Sequence, residues 1–449
     1  MKEECGVIGA YDFDGQDVVG DLYHGLYTLQ HRGQESCGIV TNSYDSLHNV
    51  KGKGLVNEVF NSANLTTLKG WIGVGHVRYG ASDGDAIPPI MSRYCKGTMT
   101  LAMNGFITNY DELRSELEQR GAIFQSTSHA EMIMNLIAVA RTKSHSAEAA
   151  VLEVVKRLRG AYSMVVMSPR KLIAVRDPLG IRPLSVGQRG HRYIVASETA
   201  AFDVIKAKKI FDVLPGELIK IDDTGVNHYT DYVGKLKTSH CVFEHVYYAR
   251  PDSYLDGTNV YQARVAIGRE LFKAEPAKAD VVIGVPSSGL HFALGYAYES
   301  KIPYGDGLVK NSYVGRTFIR DTDAERYEAV SIKLNALRGA IDGKDVVLVD
   351  DSIVRGTTCA NLIRLIKDGG ARKVHMRIAS PPFIYPCKFG TDIPDRSQLM
   401  AARMNVNEMR DTIGADSLGF LPLDAFAKVG LSPDCYCSAC FTGDYPKED

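Results

Sequence analysis

Val346-Val347-Leu348-Val349-Asp350-Asp351-Ser352-Ile353-Val354-Arg355-Gly356-Thr357-Thr358 is the stretch whose reading decides the fold. A β-rich apolar run ends in paired acids, and a loop of hydroxyls and glycine follows. Leu362, Ile363, Leu365 and Ile366 then recur at helical spacing, and Gly369-Gly370 stops the helix. The order is strand, loop, helix. A buried parallel strand that releases such a loop onto a helix N-terminus makes an anion site, because free backbone N–H groups and the helix dipole both favour phosphate. Asp350 and Asp351 stand at the strand end, where open α/β sheets bind ligands. Two carboxylates beside a phosphate cradle suit a ribose diol and Mg²⁺, which prefers oxygen ligands. The loop lacks the lysine of a generic phosphate loop.

Around this stretch the chain reads as a doubly wound α/β unit. Val281-Val282-Ile283-Gly284-Val285 and Val346–Val349 are continuous apolar runs, as strands buried on both faces require. This unit is expected over 236–449, with a tail from about 395 that is helical, then loop-rich and cysteine-bearing. Residues 1–235 have a different pattern. Strand-like runs at Gly6–Ala10, Ile72–Val77, Thr98–Met103, Ala161–Met167, Leu172–Val175 and Tyr193–Ala196 alternate with helical stretches at Asp111–Arg120, His129–Arg141 and Glu148–Leu158. Mostly antiparallel strands with helices outside give an α+β, layered αββα arrangement. Polar Lys235–Ser239 reads as the junction.

Composition bounds the function. The chain has 449 residues, a net charge of −1, 45% apolar and 23% charged residues. No basic surplus marks a nucleic-acid or membrane partner. No apolar run approaches the roughly 18 residues of a membrane span. Met1-Lys2-Glu3-Glu4 is too short and too charged for a signal peptide. Nine cysteines in a long chain of this kind argue for thiols or metal ligands rather than disulfides. A cytoplasmic location is expected.

The acid pair and D-S-x-x-R-G-T-T loop resemble the phosphoribosyl-pyrophosphate (PRPP) loop of type I phosphoribosyltransferases. The resemblance implies that Asp350 and Asp351 hold the ribose hydroxyls, and that Ser352, Arg355, Gly356, Thr357 and Thr358 hold the 5′-phosphate. Cys5-Gly6-Val7-Ile8-Gly9, His31-Arg32-Gly33-Gln34-Glu35-Ser36, Gly75-His76-Val77-Arg78-Tyr79, Asn104-Gly105, Asp177–Leu184 and Ser197-Glu198-Thr199 resemble the class II glutamine amidotransferases. Removal of the leader 1–4 would make Cys5 the first residue, and its α-amine, with a pKa of about 8, then takes the thiol proton. By resemblance Cys5 attacks the glutamine amide, Asn104 and the Gly105 N–H form the oxyanion hole, and Arg78 clamps the α-carboxylate. The family's ammonium-binding aspartate is His129 here.

Tyr247-Tyr248-Ala249-Arg250-Pro251-Asp252-Ser253, Lys310–Ile319 and Ser380-Pro381-Pro382 extend the likeness. Both halves together resemble the amidophosphoribosyltransferase family, nearly end to end. That implies a lid over PRPP bearing Lys310 and Arg316, Mg²⁺ at Ser288, Asp350 and Asp351, purine nucleotides as feedback inhibitors, and a homotetramer or homodimer. Cys437-Ser438-Ala439-Cys440 alone fits zinc, a cluster or a redox pair. With Cys241 and Cys387 the resemblance implies a 4Fe–4S cluster. Cys37, Cys95 and Cys359 are expected as buried apolar residues. Ser287, Ser312 and Ser331 replace charged residues common in the family. With His129 they motivate the alternative reading, a diverged paralog that binds PRPP or nucleotide with weak or no glutamine-dependent activity.

Overall fold

The computed structural model describes residues 5–44, 46–80, 86–311, 313, 332–391 and 395–448. Met1–Glu4, Ser312, Arg316 and Ser331 lie outside the described residues.

The first half is built on β1 (Gly6–Asp12), β2 (Ser36–Ser43), β3 (Ser46–Lys53), β4 (Ile72–Arg78), β5 (Ile90–Tyr94), β6 (Gly97–Ile107) and β7 (Gly160–Ser168). It continues with β8 (Lys171–Arg176), β9 (Ser185–Arg189), β10 (Arg192–Ala196), β11 (Lys208–Asp212), β12 (Leu218–Asp222) and β13 (Gly225–Tyr229). These form two antiparallel sheets, ordered β11-β9-β10-β1-β4-β2-β3 and β13-β12-β8-β7-β6-β5. Alternation along β1 explains the layering. Val7 and Tyr11 pack with Val165, Met167 and Ala174 of the second sheet, while Ile8 and Ala10 pack outward against Leu22 and Leu26. Helices Tyr110–Gln119, His129–Arg141 and Ala147–Val155 cover the outer face of the other sheet. The arrangement is the expected αββα sandwich.

In the second half, strands Val281–Gly284, Asp345–Asp350, Lys373–Ile378 and Ser417–Phe420 lie side by side in that order, all parallel. Helices Val260–Ala274 and Leu290–Ser300 pack on one face. Helices Thr357–Asp368 and Val406–Ile413 pack on the other, which is the doubly wound form.

Three local expectations are corrected. Val19–Thr28 is a helix that periodicity did not single out, because Gly20 and Gly25 dilute its helix propensity. Ser417–Phe420, read as part of a helical, then loop-rich tail, is a strand that only pairing with Lys373–Ile378 defines. Cys95 is exposed, because it sits in the turn that joins β5 to β6.

The halves meet through buried charge. Glu198, fully buried, accepts from His31 Nε2 at 2.6 Å, the Arg250 backbone N–H at 2.9 Å and Ser253 Oγ at 2.7 Å, and it also pairs with Arg32. Arg32 also pairs with buried Glu244, which Arg182 Nη1 approaches at 3.4 Å. Arg176 grips Asp256 at 2.6 and 2.9 Å. Burial alone would raise the Glu198 pKa. Arg32 and His31 overcome it and hold the carboxyl well below its usual range.

Glu198→Ala leaves Arg32 with one buried partner fewer, and the expected loss is about 3–5 kcal/mol, read as a lower Tm by calorimetry. The folded pKa lies below the ordinary glutamate value of 4.5, so this stabilisation is full above that value and disappears as pH falls toward the folded pKa. An unchanged Tm at pH 7 would show that the seam does not depend on this carboxylate.

Candidate active sites

At the front of the chain, β1 delivers Cys5 to the end of the first sheet, where it is buried. Its backbone nitrogen donates to Asn104 Oδ1 at 3.1 Å. That bond fixes the Asn104 amide and turns Nδ2 away from Cys5 N. Nδ2 is buried and has no hydrogen-bond partner among the described residues. A desolvated donor of this kind is suited to an oxygen that gains charge. Gly105 lies mid-strand, opposite Tyr162. Tyr162 directs both its N–H and its C=O to Asp177, so that pairing does not consume the Gly105 amide. Gly105 has φ +135°, and a Cβ there would come within 2.0 Å of Ala161 O, so glycine alone fits.

Cys5 opens onto a pocket lined by His76, Arg78, Pro88, Met103, Ser128 and Ala130. Arg78 brings a permanent cation, and its Nη1 donates to Ala86 O at 2.8 Å. His76 Nε2 donates to Met103 O at 3.0 Å, which sets the tautomer. Ser128 caps the following helix by accepting from Ala130 N–H at 3.2 Å. His129 points elsewhere. It is fully buried, stacks on Tyr110 with ring centroids 4.4 Å apart, and its Nδ1 accepts the Ile107 N–H at 3.0 Å. The residues on either side of it line the pocket, and its ring joins the helix to β6.

The second site forms at the carboxyl ends of the parallel strands. Asp350 and Asp351 are buried at the end of Asp345–Asp350. Ser288 Oγ donates to Asp350 Oδ1 at 3.0 Å, and Ser352 Oγ donates to Asp351. Burial first, then the neighbouring Asp351 charge, pushes Asp350 well above the usual carboxylate range; burial also raises Asp351. Such a pair has a strong demand for a cation or for hydroxyl donors. Gly356 takes φ +85° and starts the helix Thr357–Asp368, so the loop amides from Ser352 on can face an anion. Arg355 is exposed and its guanidinium donates to Gln398 Oε1 at 2.8 and 3.1 Å. Lys310 ends a short strand, Leu308–Lys310, and is exposed.

A third cluster lies at the seam. Cys241, Cys387, Cys437 and Cys440 line one cavity with Ile181, Arg182, Phe389 and Tyr445. Cys241 and Cys437 are brought together by a short parallel pairing. Among the described residues, no three His, Cys, Asp or Glu side chains converge as one metal ion requires.

Two domain families match the chain: a glutamine amidotransferase domain over residues 82–204 and a phosphoribosyl transferase domain over residues 252–379. The amidophosphoribosyltransferase of Methanothermobacter thermautotrophicus is 44% identical over 451 residues, which is 99% of this chain and 95% of the relative. That of Bacillus subtilis is 42% identical, over 100% of this chain and 95% of its own length. The chain belongs to the amidophosphoribosyltransferase family.

Solved structures agree. The glutamine PRPP amidotransferase from B. subtilis complexed with ADP and GMP superposes with a TM-score of 0.93 at 41% identity, covering 99% of this chain and 98% of that one. A structure described as the allosteric regulatory enzyme of purine biosynthesis gives 0.92 at 40% identity, covering 99% and 97%. As an amidophosphoribosyltransferase, the protein is a glutamine-dependent phosphoribosyltransferase acting at the first step of purine synthesis.

The structure brings Cys5, Asn104, Gly105 and Arg78 together, and separately Ser288, Asp350, Asp351 and the Ser352–Thr358 loop. It does not bring the His129 ring to the pocket. Sequence reasoning missed Arg182 and Glu244, whose roles depend on partners far along the chain; the quoted motifs contain Arg182 but give no hint of Glu244.

Gly356→Ala places a Cβ at φ +85° and 2.4 Å from Met400 Sδ. We expect about tenfold weaker PRPP binding by calorimetry, from left-handed backbone strain of about 1–2 kcal/mol. Adding Met400→Ala should recover part of it. Wild-type affinity in the single variant would mean that the loop geometry does not set phosphate binding.

Proposed function

We propose that Cys5 is the glutaminase nucleophile and that the pocket beside it holds glutamine. The unpartnered, buried Asn104 Nδ2 carries this reading, because it waits beside Cys5 with a donor that no described protein group accepts. With the leader 1–4 removed, Cys5 N is an α-amine already held in place by Asn104 Oδ1. The amine takes the thiol proton as Sγ attacks the amide carbon. Asn104 Nδ2 and the Gly105 N–H donate to the oxyanion. The C–N bond then breaks, the proton goes to the leaving nitrogen, and ammonia departs. Water cleaves the thioester and releases glutamate. Arg78 orients the substrate α-carboxylate, a task for which a guanidinium fork is suited. His129 supports this site as a neutral ring fixing the helix to β6, rather than as a direct glutamine ligand.

Ammonia then attacks C1 of PRPP, the bond from C1 to pyrophosphate breaks, and the nitrogen loses a proton to give 5-phosphoribosylamine. Asp350 and Asp351 orient the ribose hydroxyls, the Ser352–Thr358 loop holds the 5′-phosphate, and Lys310 and Arg316 accompany the pyrophosphate. Positioning and charge neutralisation are the main catalytic means here, since no protein nucleophile is needed. The oxygen donors Ser288, Asp350 and Asp351 fit Mg²⁺, which when bound neutralises pyrophosphate charge.

The cysteine cavity fits a 4Fe–4S cluster. Four thiols line it among largely apolar side chains, the soft thiolate donor set that such a cluster takes. Its role is structural, joining the tail to the Asp177–Leu184 seam. Purine nucleotides are feedback inhibitors in this reading, supported by the B. subtilis relative whose structure is complexed with ADP and GMP. The protein acts in the cytoplasm as a homotetramer or homodimer.

Cys5→Ala is expected to abolish glutamine-dependent phosphoribosylamine formation while ammonia-dependent formation persists. Asn104→Ala should lower the glutamine-dependent rate by about 10²–10³. Retention of glutamine use by Cys5→Ala would refute the assignment. Separately, anaerobically purified protein should contain iron and acid-labile sulfide, and Cys437→Ser should lose both; zinc in place of iron would overturn the cluster.

A further inference from the structure

The wall of the Cys5 pocket that carries Pro88 is held from outside the pocket. In the first sheet, Lys51 on β3 pairs with Gly38 on β2, and Gly38 pairs with His76 on β4. Directly paired residues share a face, so Lys51, Gly38 and His76 form one row across three strands. His76 lines the pocket. Gly38 has no side chain, and the segment 86–89 lies in the space that one would fill. A Cβ on Gly38 would meet Pro88 O at 2.4 Å, Lys51 Cγ at 2.9 Å and Pro89 Cδ at 3.0 Å. From the far end of the row, Lys51 Nζ donates to Pro89 O at 2.5 Å. From β4, Arg78 Nη1 donates to Ala86 O at 2.8 Å. Two cations on strands flanking β2 thus hold both ends of the segment.

Resting on the reading of this pocket as the glutamine site, we propose that Lys51 is a positioning residue for glutamine, its ammonium pinning the Pro88–Pro89 turn against Gly38 so that Pro88 closes the pocket. Lys51 does not line the pocket, so it acts through the turn. Arg78, which does line it, would give up or share its Ala86 bond when it engages a carboxylate. The Lys51 bond then keeps the turn in place. The lysine is substantially desolvated, and burial lowers its pKa to about 8. A charge kept in such surroundings needs a defined acceptor, and Pro89 O supplies it.

Three variants test this, each assayed with glutamine and with ammonia. Lys51→Met should raise the KM for glutamine about tenfold, the equivalent of one lost charge-assisted hydrogen bond, with kcat nearly unchanged. The ammonia-dependent rate should stay at the wild-type value, which also verifies folding. Lys51→Arg, which can still donate to Pro89 O, should recover most of the affinity. Gly38→Ala keeps Lys51 but displaces the Pro88 carbonyl, and it should show the same glutamine-specific rise in KM. The proposal is overturned if Lys51→Met leaves the glutamine KM unchanged, if both nitrogen sources lose activity equally, or if Lys51→Arg is no better than Lys51→Met. Cys5→Ala in parallel separates the two levels: if it still uses glutamine, the pocket reading itself has failed.

Discussion

The structure depends on a charge network that water cannot reach. Glu198, Arg32 and Glu244 are all buried, and each is tolerable only because the others are present. Pairing one cation with two carboxylates inside protein is costly unless the remaining lone pairs find donors. They do. Glu198 also accepts from His31, the Arg250 amide and Ser253. Glu244 is also approached by Arg182. The donors come from both halves, so neither half satisfies the network alone. The two candidate sites are therefore parts of one packed unit.

The network also explains a group that neither reaction uses directly. Arg264 is buried on the helix Val260–Ala274 and donates to the carbonyls of His245, Tyr247 and Ala249 at 2.8, 3.2 and 2.8 Å. These carbonyls belong to or border the turn Glu244–Tyr248, which carries Glu244 into the seam. Burial lowers the Arg264 pKa to about 10, against the opposing pull of Asp351 and Glu198. Its charge therefore lies within the field of both the seam carboxylate Glu198 and Asp351 of the buried acid pair. A π-helical turn is a costly local geometry, and here a buried guanidinium satisfies its open carbonyls.

The cysteine cavity sits on the same seam. Cys241 N donates to Ile181 O at 3.2 Å, and Arg182 Nη2 donates to Phe389 O at 3.0 Å. The Asp177–Leu184 stretch therefore lies between the first-half sheets and the tail that bears Cys437 and Cys440. Its conformation serves packing on both sides at once, which accounts for a dense, glycine- and proline-bearing motif.

The sequence by itself determined the layers and the chemistry that rests on local pattern. The strand-like runs of the first half, the apolar run ending at Asp350-Asp351, and the loop feeding the helix Thr357–Asp368 were all legible, because each is set by neighbours within a few residues. Cys5, Arg78, Asn104 and Gly105 could be named from their motifs, and the cysteine quartet from its contexts. Only the tertiary structure decided what those residues face. His129 looked like a ligand position, yet its ring turns into the core because the Ile107 amide and the Tyr110 ring lie there. Ser417–Phe420 became a strand only beside Lys373–Ile378, and Glu244 became a partner of Arg32 only when the halves closed. Periodicity reports which residues are buried; pairing between distant segments selects their partners, and no local pattern records that selection.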